Sequence, residues 1–359
     1  VVFDSKRQFV AIGLYDPLSP IRMRALRTGK PGPIDRAFFA DRIAQALVRR
    51  TPLLKTRTDG YRMIHGESDG MPGMVVDRYA ETVVIKLYTH AWLPHLRDCI
   101  ESLLDLHPTT RVVLRLSRGL KQHPEYLGGL TDGQIIYGKA ITQTLTFYEN
   151  GLKFEVDPVR GQKTGFFLDQ RDNRARVELL SRGRRVLNAF SYNGGFSLAA
   201  ARGGAVEVTS LDQSGHAIES SKRNFALNAD IPTIAAARHL TIEGDAFRAM
   251  AELAKQGAQY DLVIIDPPAF AVRRSQIPEA LSAYGRLAHL GVTLLAPGGN
   301  IVLASCSNPV SPEEFRQTMC DAAARAGRPL REIEKTGHAL DHPLDFAESR
   351  YLKCLFAKA

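Results

Sequence analysis

The chain has 359 residues, of which 44% are hydrophobic, and a formal net charge of +9. This length allows two or three domains, and the hydrophobic fraction is ordinary for a globular protein. The sequence has no long apolar run that would indicate a membrane span, and no signal peptide is visible in it. The four cysteines are scattered without a CxxC pair, which predicts no metal site. Four cysteines are enough for two disulfides, but their sparse spacing in a large chain fits reduced thiols and a cytoplasmic location better.

The first sixty residues are strongly basic. They hold twelve Lys or Arg against five Asp, an excess of seven that supplies most of the net charge. A solvated surface explains such an excess, and contact with a phosphate backbone explains it as well. Residues 1–30 contain short strand-like pieces between Phe3 and Tyr15, too few to bury a core. Because the chain also starts without Met, we expect residues 1–30 to be the end of a small β domain.

The next hundred or so residues predict a connector helix and a mixed domain. Apolar residues recur at helical spacing over residues 34–50, which indicates an amphipathic helix. Residues 60–158 then combine a helical run at 95–104 with several strand-like runs and Gly-rich turns, which we interpret as an α+β middle domain. The strand-like runs cover residues 74–76, 83–85, 112–114 and 134–136.

From about residue 161 onward, short apolar runs alternate with helical stretches. Such alternation predicts an α/β fold with a doubly wound parallel sheet. The strand runs lie at 185–187, 206–211, 240–242, 262–265, 300–303 and 351–356, and the helices at 196–202, 215–229, 246–257, 277–295 and 312–326.

A glycine-containing turn follows the first strand of this region. Residues 188–197 include Gly194 and Gly195, and glycines let a backbone turn sharply and a ligand approach closely. The pattern is neither GxGxxG nor a GK[ST] phosphate loop, which disfavours a dinucleotide and a nucleoside triphosphate. A purely structural turn is the alternative interpretation.

Acidic residues end the next two strands. Asp212 lies about twenty residues after the glycines, where a carboxylate usually binds the two hydroxyls of a ribose. Asp245 is placed to accept a hydrogen bond from an adenine amino group. Capping of the following helix is the alternative for both residues. Taken together, the three strand ends fit a nucleoside cofactor without a diphosphate, namely S-adenosylmethionine.

Two segments forty residues apart carry the chemistry. Residues 266–270 (Asp-Pro-Pro-Ala-Phe) and 305–307 (Ser-Cys-Ser) each follow an apolar run, so the Asp266 carboxylate and the Cys306 thiol are expected to face one crevice. The two prolines stiffen the first turn. A thiolate that attacks carbon 6 of a pyrimidine activates carbon 5 for methylation, after which a base must remove the carbon 5 proton. A small buried residue is the alternative for Cys306.

These segments resemble the class I S-adenosylmethionine-dependent large-subunit (23S) ribosomal RNA cytosine-5 methyltransferases, and the resemblance covers nearly the whole chain. Its most specific signature is residues 161–174 (Gly-Gln-Lys-Thr-Gly-Phe-Phe-Leu-Asp-Gln-Arg-Asp-Asn-Arg). It is also carried by residues 13–21, 61–79, 190–197, 266–270 and 305–307. Asn193 departs from the pattern, which is expected to have Thr there.

The resemblance implies three parts and a set of site residues. Residues 1–30 would be the remnant of a PUA domain, an RNA-binding β barrel, 31–158 the connector and central domain, and 159–359 a Rossmann-like methyltransferase domain. Cys306 would be the nucleophile and Asp266 would hold the base edge. The implied cofactor-binding residues are Phe190, Ser191, Tyr192, Gly194, Gly195, Asp212, Asp245 and Asp266. The implied RNA-binding residues are Lys163, Arg171 and Arg174, for which solvated charges are the alternative.

The function that follows is methyl transfer from S-adenosylmethionine to carbon 5 of a cytosine in large-subunit ribosomal RNA, through a covalent cysteine adduct. Methylation of uracil at carbon 5 uses the same thiol chemistry and remains open. A non-catalytic, cofactor-binding RNA assembly factor is the alternative from another class of protein. Glu348, Asp345 and Lys353 are equal candidates for the proton-removing base, and a homodimer is kept open.

Overall fold

The computed structural model describes residues 1–346 and 349–359. The chain divides into two compact units. Unit 1 comprises Val1–Gly151, Glu155–Leu168 and Leu340–Asp345, and unit 2 comprises Leu152–Phe154, Asp169–Ala339 and Phe346–Ala359. Among the described residues, no helix combines the length and the apolar character needed to cross a bilayer. The three-part division predicted from the sequence, with its PUA remnant, stays a prediction.

Unit 1 begins with a three-stranded antiparallel sheet and a helix. The strands are β1 (Val2–Phe3), β2 (Phe9–Tyr15) and β3 (Met23–Thr28), and helix α1 covers Arg36–Arg50. Asp35 caps α1 by accepting a hydrogen bond from the Phe38 backbone N–H at 3.0 Å, which satisfies one of the free donors of the first turn. The helix predicted at 34–50 is therefore confirmed.

A five-stranded sheet forms the centre of unit 1. Its strands lie in the order β4 to β8, with β6 and β7 parallel and the other neighbours antiparallel. Buried Phe39 and Trp92 lie in the apolar core that this sheet shares with α1 and α2. The bounds are β4 Gly60–His65, β5 Met74–Tyr79, β6 Thr82–Leu87, α2 Leu96–Leu106, β7 Arg111–Leu116, α3 Arg118–Lys121 and β8 Ile135–Gly138, followed by β9 Leu145–Glu149 and β10 Leu152–Val156.

Unit 2 contains a seven-stranded sheet of Rossmann-like topology, as the sequence predicted. The strand order is β13-β12-β11-β14-β15-β17-β16. The pairs from β13 to β15 are parallel, and β17 runs antiparallel to both of its neighbours, β15 and β16. The bounds are α4 Arg171–Leu179, β11 Arg185–Ala189, α5 Gly195–Arg202, β12 Glu207–Asp212, α6 Gly215–Leu227, α7 Pro232–Ala236, β13 Arg238–Glu243, α8 Ala246–Lys255, β14 Tyr260–Ile265, α9 Ile277–Thr293, β15 Leu295–Ser305, α10 Pro312–Arg325, β16 Arg331–Thr336 and β17 Lys353–Lys358.

The central strands of this sheet are continuously apolar because both of their faces are covered. Residues 186–189 of β11, 262–265 of β14 and 299–305 of β15 are buried, which is the pattern of parallel strands between two helical layers. One face packs on α8, α9 and α10 through a single apolar cluster. The strand order reverses between β11 and β14, and this switch point is where open α/β sheets bind their ligands.

Candidate active site

Three loops open at the same edge of the unit 2 sheet. In the parallel registers, Ala189 of β11 pairs with Ile265 of β14, and Ile265 pairs with Leu303 of β15. Strands β11 and β14 therefore end at one level, and β15 continues for two more residues, to Ser305, at the same edge. The loops that follow are 190–195, 266–270 and the turn after β15, which places the predicted cofactor loop, Asp266 and Cys306 around the switch point.

The turn that carries Cys306 is fixed by its two serines. Ser305 and Ser307 are fully buried, and both hydrogen-bond to the Tyr284 hydroxyl, at 2.7 and 2.8 Å. Ser307 Oγ also accepts a hydrogen bond from the Ala271 backbone N–H at 3.1 Å, which joins this turn to the segment that starts at Asp266. Cys306 itself is half-buried. The serines therefore lock the backbone while the thiol between them keeps access to solvent.

Lys353 supports the same turn from the neighbouring strand. It pairs with Ser305 in the antiparallel register, and its Nζ donates hydrogen bonds to the backbone carbonyls of Ser307 and Val310 at 2.6 and 2.8 Å. Burial lowers the pKa of Lys353 to about 8, while the nearby Cys306 thiolate acts in the opposite direction. A cation beside a thiol favours the thiolate form. Lys353 thus fits the role of a charge that supports Cys306.

A chain of buried hydrogen bonds orients Asp266. Gln170 Nε2 donates to Asp266 Oδ2 at 3.0 Å, and Asn173 Nδ2 donates to Gln170 Oε1 at 2.5 Å. Asn173 is held in turn by the Thr336 hydroxyl, which donates to its Oδ1 at 2.6 Å, and by the Gly337 carbonyl, at 3.2 Å. Gln170 and Asn173 are 3% and 1% exposed. The relay fixes one carboxylate oxygen of Asp266, and sequence reasoning missed it although both residues lie in the signature 161–174.

The predicted RNA-binding residues also lie in the signature 161–174, and they differ in their exposure to solvent. Arg171 and Arg174 are 1% and 4% exposed. The Arg174 stem packs on the cofactor loop, because a Cβ added to Gly195 would lie 3.1 Å from its Cδ. A guanidinium must reach the surface to contact a phosphate, so this burial argues against direct RNA contact by the two arginines. Lys163 is half-buried and lies over the Phe167 ring at 4.3 Å.

The loop after β11 has an unusual backbone. Phe190, Tyr192 and Gly194 have φ angles of 60°, 48° and 80°, in the left-handed region that non-glycine residues rarely adopt. Such conformations cost free energy and persist only where the surrounding structure holds them. They are concentrated at active sites and ligand sites. Within the described part of the chain, the buried Ser191 Oγ has no hydrogen-bond partner. A free buried hydroxyl in a strained loop fits a site that a polar ligand completes.

The two predicted acidic cofactor residues differ in their surroundings. Asp212 accepts hydrogen bonds from the backbone N–H groups of Tyr192 and Ser214, at 2.8 and 2.9 Å, one on each oxygen. Each oxygen keeps a second lone pair, so the fixed carboxylate is able to accept from two ribose hydroxyls. Asp245 caps α8 by accepting from the Arg248 N–H at 3.0 Å, which is the alternative role that the sequence allowed. Its contact with adenine stays a prediction.

The candidates for the proton-removing base are not brought together. Asp345 pairs with Arg49 at 2.9 Å within unit 1, Lys353 donates to carbonyls as described, and Glu348 lies outside the described residues. Over residues 1–346 and 349–359, no three His, Cys, Asp or Glu side chains are grouped as metal ligands. The four cysteines are thiols and not disulfides.

Comparisons with known proteins agree with this geometry. A family model described as S-adenosylmethionine-dependent methyltransferase matches residues 131–356. A ribosomal RNA large subunit methyltransferase of Deinococcus radiodurans is 53% identical, over 99% of this chain and 87% of the relative. The ribosomal RNA large subunit methyltransferase I of Aeromonas salmonicida is 35% identical, over 100% of this chain and 89% of the relative.

Solved structures support the fold. A methyltransferase complexed with SAH has a TM-score of 0.83 at 20% identity, over 99% of this chain and 90% of that chain. A methyltransferase described as SAM-dependent, from Streptococcus mutans, has a TM-score of 0.82 at 20% identity, with the same coverage. At this identity the likeness confirms the Rossmann-like fold alone, while the family match extends to the cofactor. The chain thus belongs to the S-adenosylmethionine-dependent methyltransferases, in one family with the ribosomal RNA large subunit methyltransferases it matches.

Proposed function

We propose that this protein methylates carbon 5 of a cytosine in large-subunit ribosomal RNA. The observation that carries the proposal is the half-buried Cys306 thiol, held between two locked serines at the sheet edge that also carries Asp266 and the cofactor loop. Methylation of a nitrogen needs no nucleophilic thiol, whereas carbon 5 of a pyrimidine is activated by one. The names of the relatives support ribosomal RNA as the substrate class.

The reaction requires Cys306 and Asp266 to act on a base that has left its stack, because carbon 6 is otherwise out of reach. The Cys306 thiolate bonds to carbon 6, and the electron pair of the 5,6 double bond moves to carbon 5. S-adenosylmethionine supplies the electrophilic methyl group that carbon 5 takes. A base then removes the carbon 5 proton, the double bond forms again and the thiolate leaves. Asp266 holds the ring by accepting a hydrogen bond from the exocyclic amino group.

The direct test is methyl transfer from labelled S-adenosylmethionine to large-subunit ribosomal RNA, followed by nucleoside mass spectrometry. The expected product is 5-methylcytidine at one mapped position. A 5-methyluridine product would assign the enzyme to uracil. RNA binding without any methyl transfer would support the assembly factor instead. A nitrogen-methylated nucleoside would contradict the covalent role of Cys306, because methylation of a nitrogen needs no nucleophilic thiol.

The Asp212→Ala variant is expected to bind S-adenosylmethionine about 10- to 100-fold more weakly. The fixed carboxylate is expected to accept from the ribose hydroxyls, and hydrogen bonds to a charged group are each worth about 1.5–3 kcal/mol. Isothermal titration calorimetry measures the dissociation constant. Asp230→Ala removes a carboxylate that is exposed on the same unit and paired with Lys153, so it serves as the control. An unchanged constant in Asp212→Ala would exclude the ribose contact.

The Lys353→Met variant is expected to shift the acidic limb of the pH–rate profile upward by about one unit. Lys353 is charged below its pKa of about 8, and removing a cation beside Cys306 makes the thiolate form at a higher pH. The profile of kcat/KM measures this shift. Lys358→Met, which removes an exposed charge at the end of the same strand, is expected to leave the profile unchanged. Coincident wild-type and Lys353→Met profiles would contradict the coupling.

A further inference from the structure

An irregularity in β3 places two arginines side by side in unit 1. Along the pairing of β2 with β3, Ile12 lies opposite Arg27 and Gly13 opposite Ala25, so β3 carries one extra residue at this point. Residues three apart in a regular strand point to opposite faces. A bulge cancels that alternation and re-aims the side chains that flank it. Arg24 and Arg27 consequently fall on the same face.

A third arginine joins them from helix α1 through a shared aromatic ring. The Arg27 guanidinium carbon lies 5.1 Å from the centroid of Phe38, and that of Arg42 lies 5.2 Å from the same centroid. The two positive charges are therefore within about 10 Å of each other, roughly one Debye length at 0.1 M salt. Stacking on a ring favours a guanidinium by about 0.5–1 kcal/mol, which does not remove the repulsion between two of them.

A glycine turn makes room for the cluster. A Cβ added to Gly70 would lie 3.1 Å from Arg42 Nη1, and one added to Gly73 would lie 3.3 Å from Arg24 Nε. Both glycines have positive φ, 68° and 73°, so the turn that contacts Arg24 and Arg42 is itself built for residues without a side chain. Arg24 and Arg42 thus lie against one glycine turn, and Arg27 and Arg42 lie against one aromatic ring.

The cluster carries more positive charge than its neighbours neutralise. In the described part of the chain, the one ion pair that these arginines make is Arg24 with Glu67, at 2.9 Å. Arg27 has a carbonyl partner, Pro33, at 3.4 Å. The Nε groups of all three arginines are buried without a hydrogen-bond partner. The contacts described for these half-buried side chains therefore set one carboxylate against three cations, which leaves an excess of positive charge.

We propose that Arg24, Arg27 and Arg42 bind backbone phosphates of the RNA substrate, an inference that rests on the proposed function and extends it to unit 1. Planar guanidinium groups match phosphate oxygens in pairs. The stacked geometry fixes the side chains before binding, so little of their conformational entropy is lost in the complex. The site reads phosphate positions and carries no base specificity of its own.

The test measures binding of the full chain to a labelled single-stranded oligoribonucleotide of about 20 nucleotides at increasing salt. Each lost phosphate contact lowers the slope of log affinity against log salt by about 0.7 for single strands. The R27Q/R42Q double variant is expected to lose about 1.4 from the slope and to bind about 25-fold more weakly at 0.1 M salt. The R27K/R42K variant keeps both charges and is expected to keep most of the slope.

Arg185→Gln is the matched control. Arg185 also lies over an aromatic ring, that of Tyr260 at 5.7 Å, but it is paired with Glu207 at 3.1 Å. Its replacement is expected to leave the slope unchanged. A wild-type slope in R27Q/R42Q would overturn the proposal. If the double variant fails to fold, the single variant R42Q replaces it, with an expected loss of about 0.7 from the slope of log affinity against log salt.

The experiments distinguish a contradiction of the phosphate site from a contradiction of the proposed function. Methyl transfer to ribosomal RNA at low salt depends on Cys306 and not on the three arginines. Absence of any transfer by the wild type would contradict the function while the salt slopes still decide the phosphate site. An unchanged slope beside intact methylation would contradict the phosphate site alone.

Discussion

Replacement of Cys306 by serine is expected to abolish methyl transfer, with kcat reduced by more than about 10,000-fold. Loss of a covalent nucleophile has effects of this size, because the remaining site retains binding but not the covalent step. A serine hydroxyl is almost isosteric but is far less acidic and less nucleophilic than a thiol, so carbon 6 is no longer attacked. S-adenosylmethionine binding, measured by calorimetry, is expected to stay unchanged.

Cys320→Ser is the matched control, because Cys320 is also a half-buried thiol and lies on α10. It is expected to keep full activity. A second measurement uses S-adenosylmethionine and RNA with 5-fluorocytidine at the mapped position. Carbon 5 then carries fluorine in place of the proton that the base removes, so the thiolate is not expelled and the adduct persists. Wild type and Cys320→Ser are expected to form a denaturation-resistant protein–RNA band, and Cys306→Ser none. An active Cys306→Ser enzyme would end the covalent mechanism.

Much of the fold of unit 2 is predictable because its local signals agree with its tertiary structure. Apolar runs such as 262–265 are long enough to be strands and too short to be helices, and each is followed by an amphipathic helix. Strand β16 escapes prediction. Its sequence, Arg-Glu-Ile-Glu-Lys-Thr, is charged and lies at a sheet edge, where its pairing with β17 decides its conformation rather than its own composition.

Some features of the candidate site are also predictable from the sequence, and others depend on the tertiary structure. The proximity of Asp266 and Cys306 follows from a general rule, since parallel strands end at one edge of a sheet. The relay through Gln170 and Asn173 does not follow from any local pattern, because Gln170 reaches Asp266 across 96 positions of the chain. Burial of Arg171 is equally a tertiary effect: a positive charge in the sequence indicates exposure unless the fold encloses it.

Replacement of Asp266 by asparagine is expected to reduce kcat/KM by roughly 1,000-fold, and the relay explains why. One oxygen of Asp266 accepts from Gln170 at 3.0 Å, and the carboxylate held in this way is expected to accept a hydrogen bond from the substrate amino group. In Asp266→Asn, the single amide oxygen is retained by Gln170, and the amide nitrogen, a donor, then faces another donor. Sites built for a hydrogen bond discriminate strongly against such a mismatch.

The Gln170→Leu variant is expected to lose about tenfold in kcat/KM, because one hydrogen bond to a charged group is removed. The double variant tests the relay itself. Without Gln170, the amide introduced at position 266 is able to turn its oxygen toward the substrate, so Asp266→Asn is expected to cost less in the Gln170→Leu background than alone, by about 1–2 kcal/mol of coupling.

Gln317→Leu removes a similar Gln-to-Asp hydrogen bond, to Asp321 at 2.7 Å on the exposed face of α10, and is expected to show no coupling with Asp266→Asn. Additive effects of Gln170→Leu and Asp266→Asn would contradict an orienting relay.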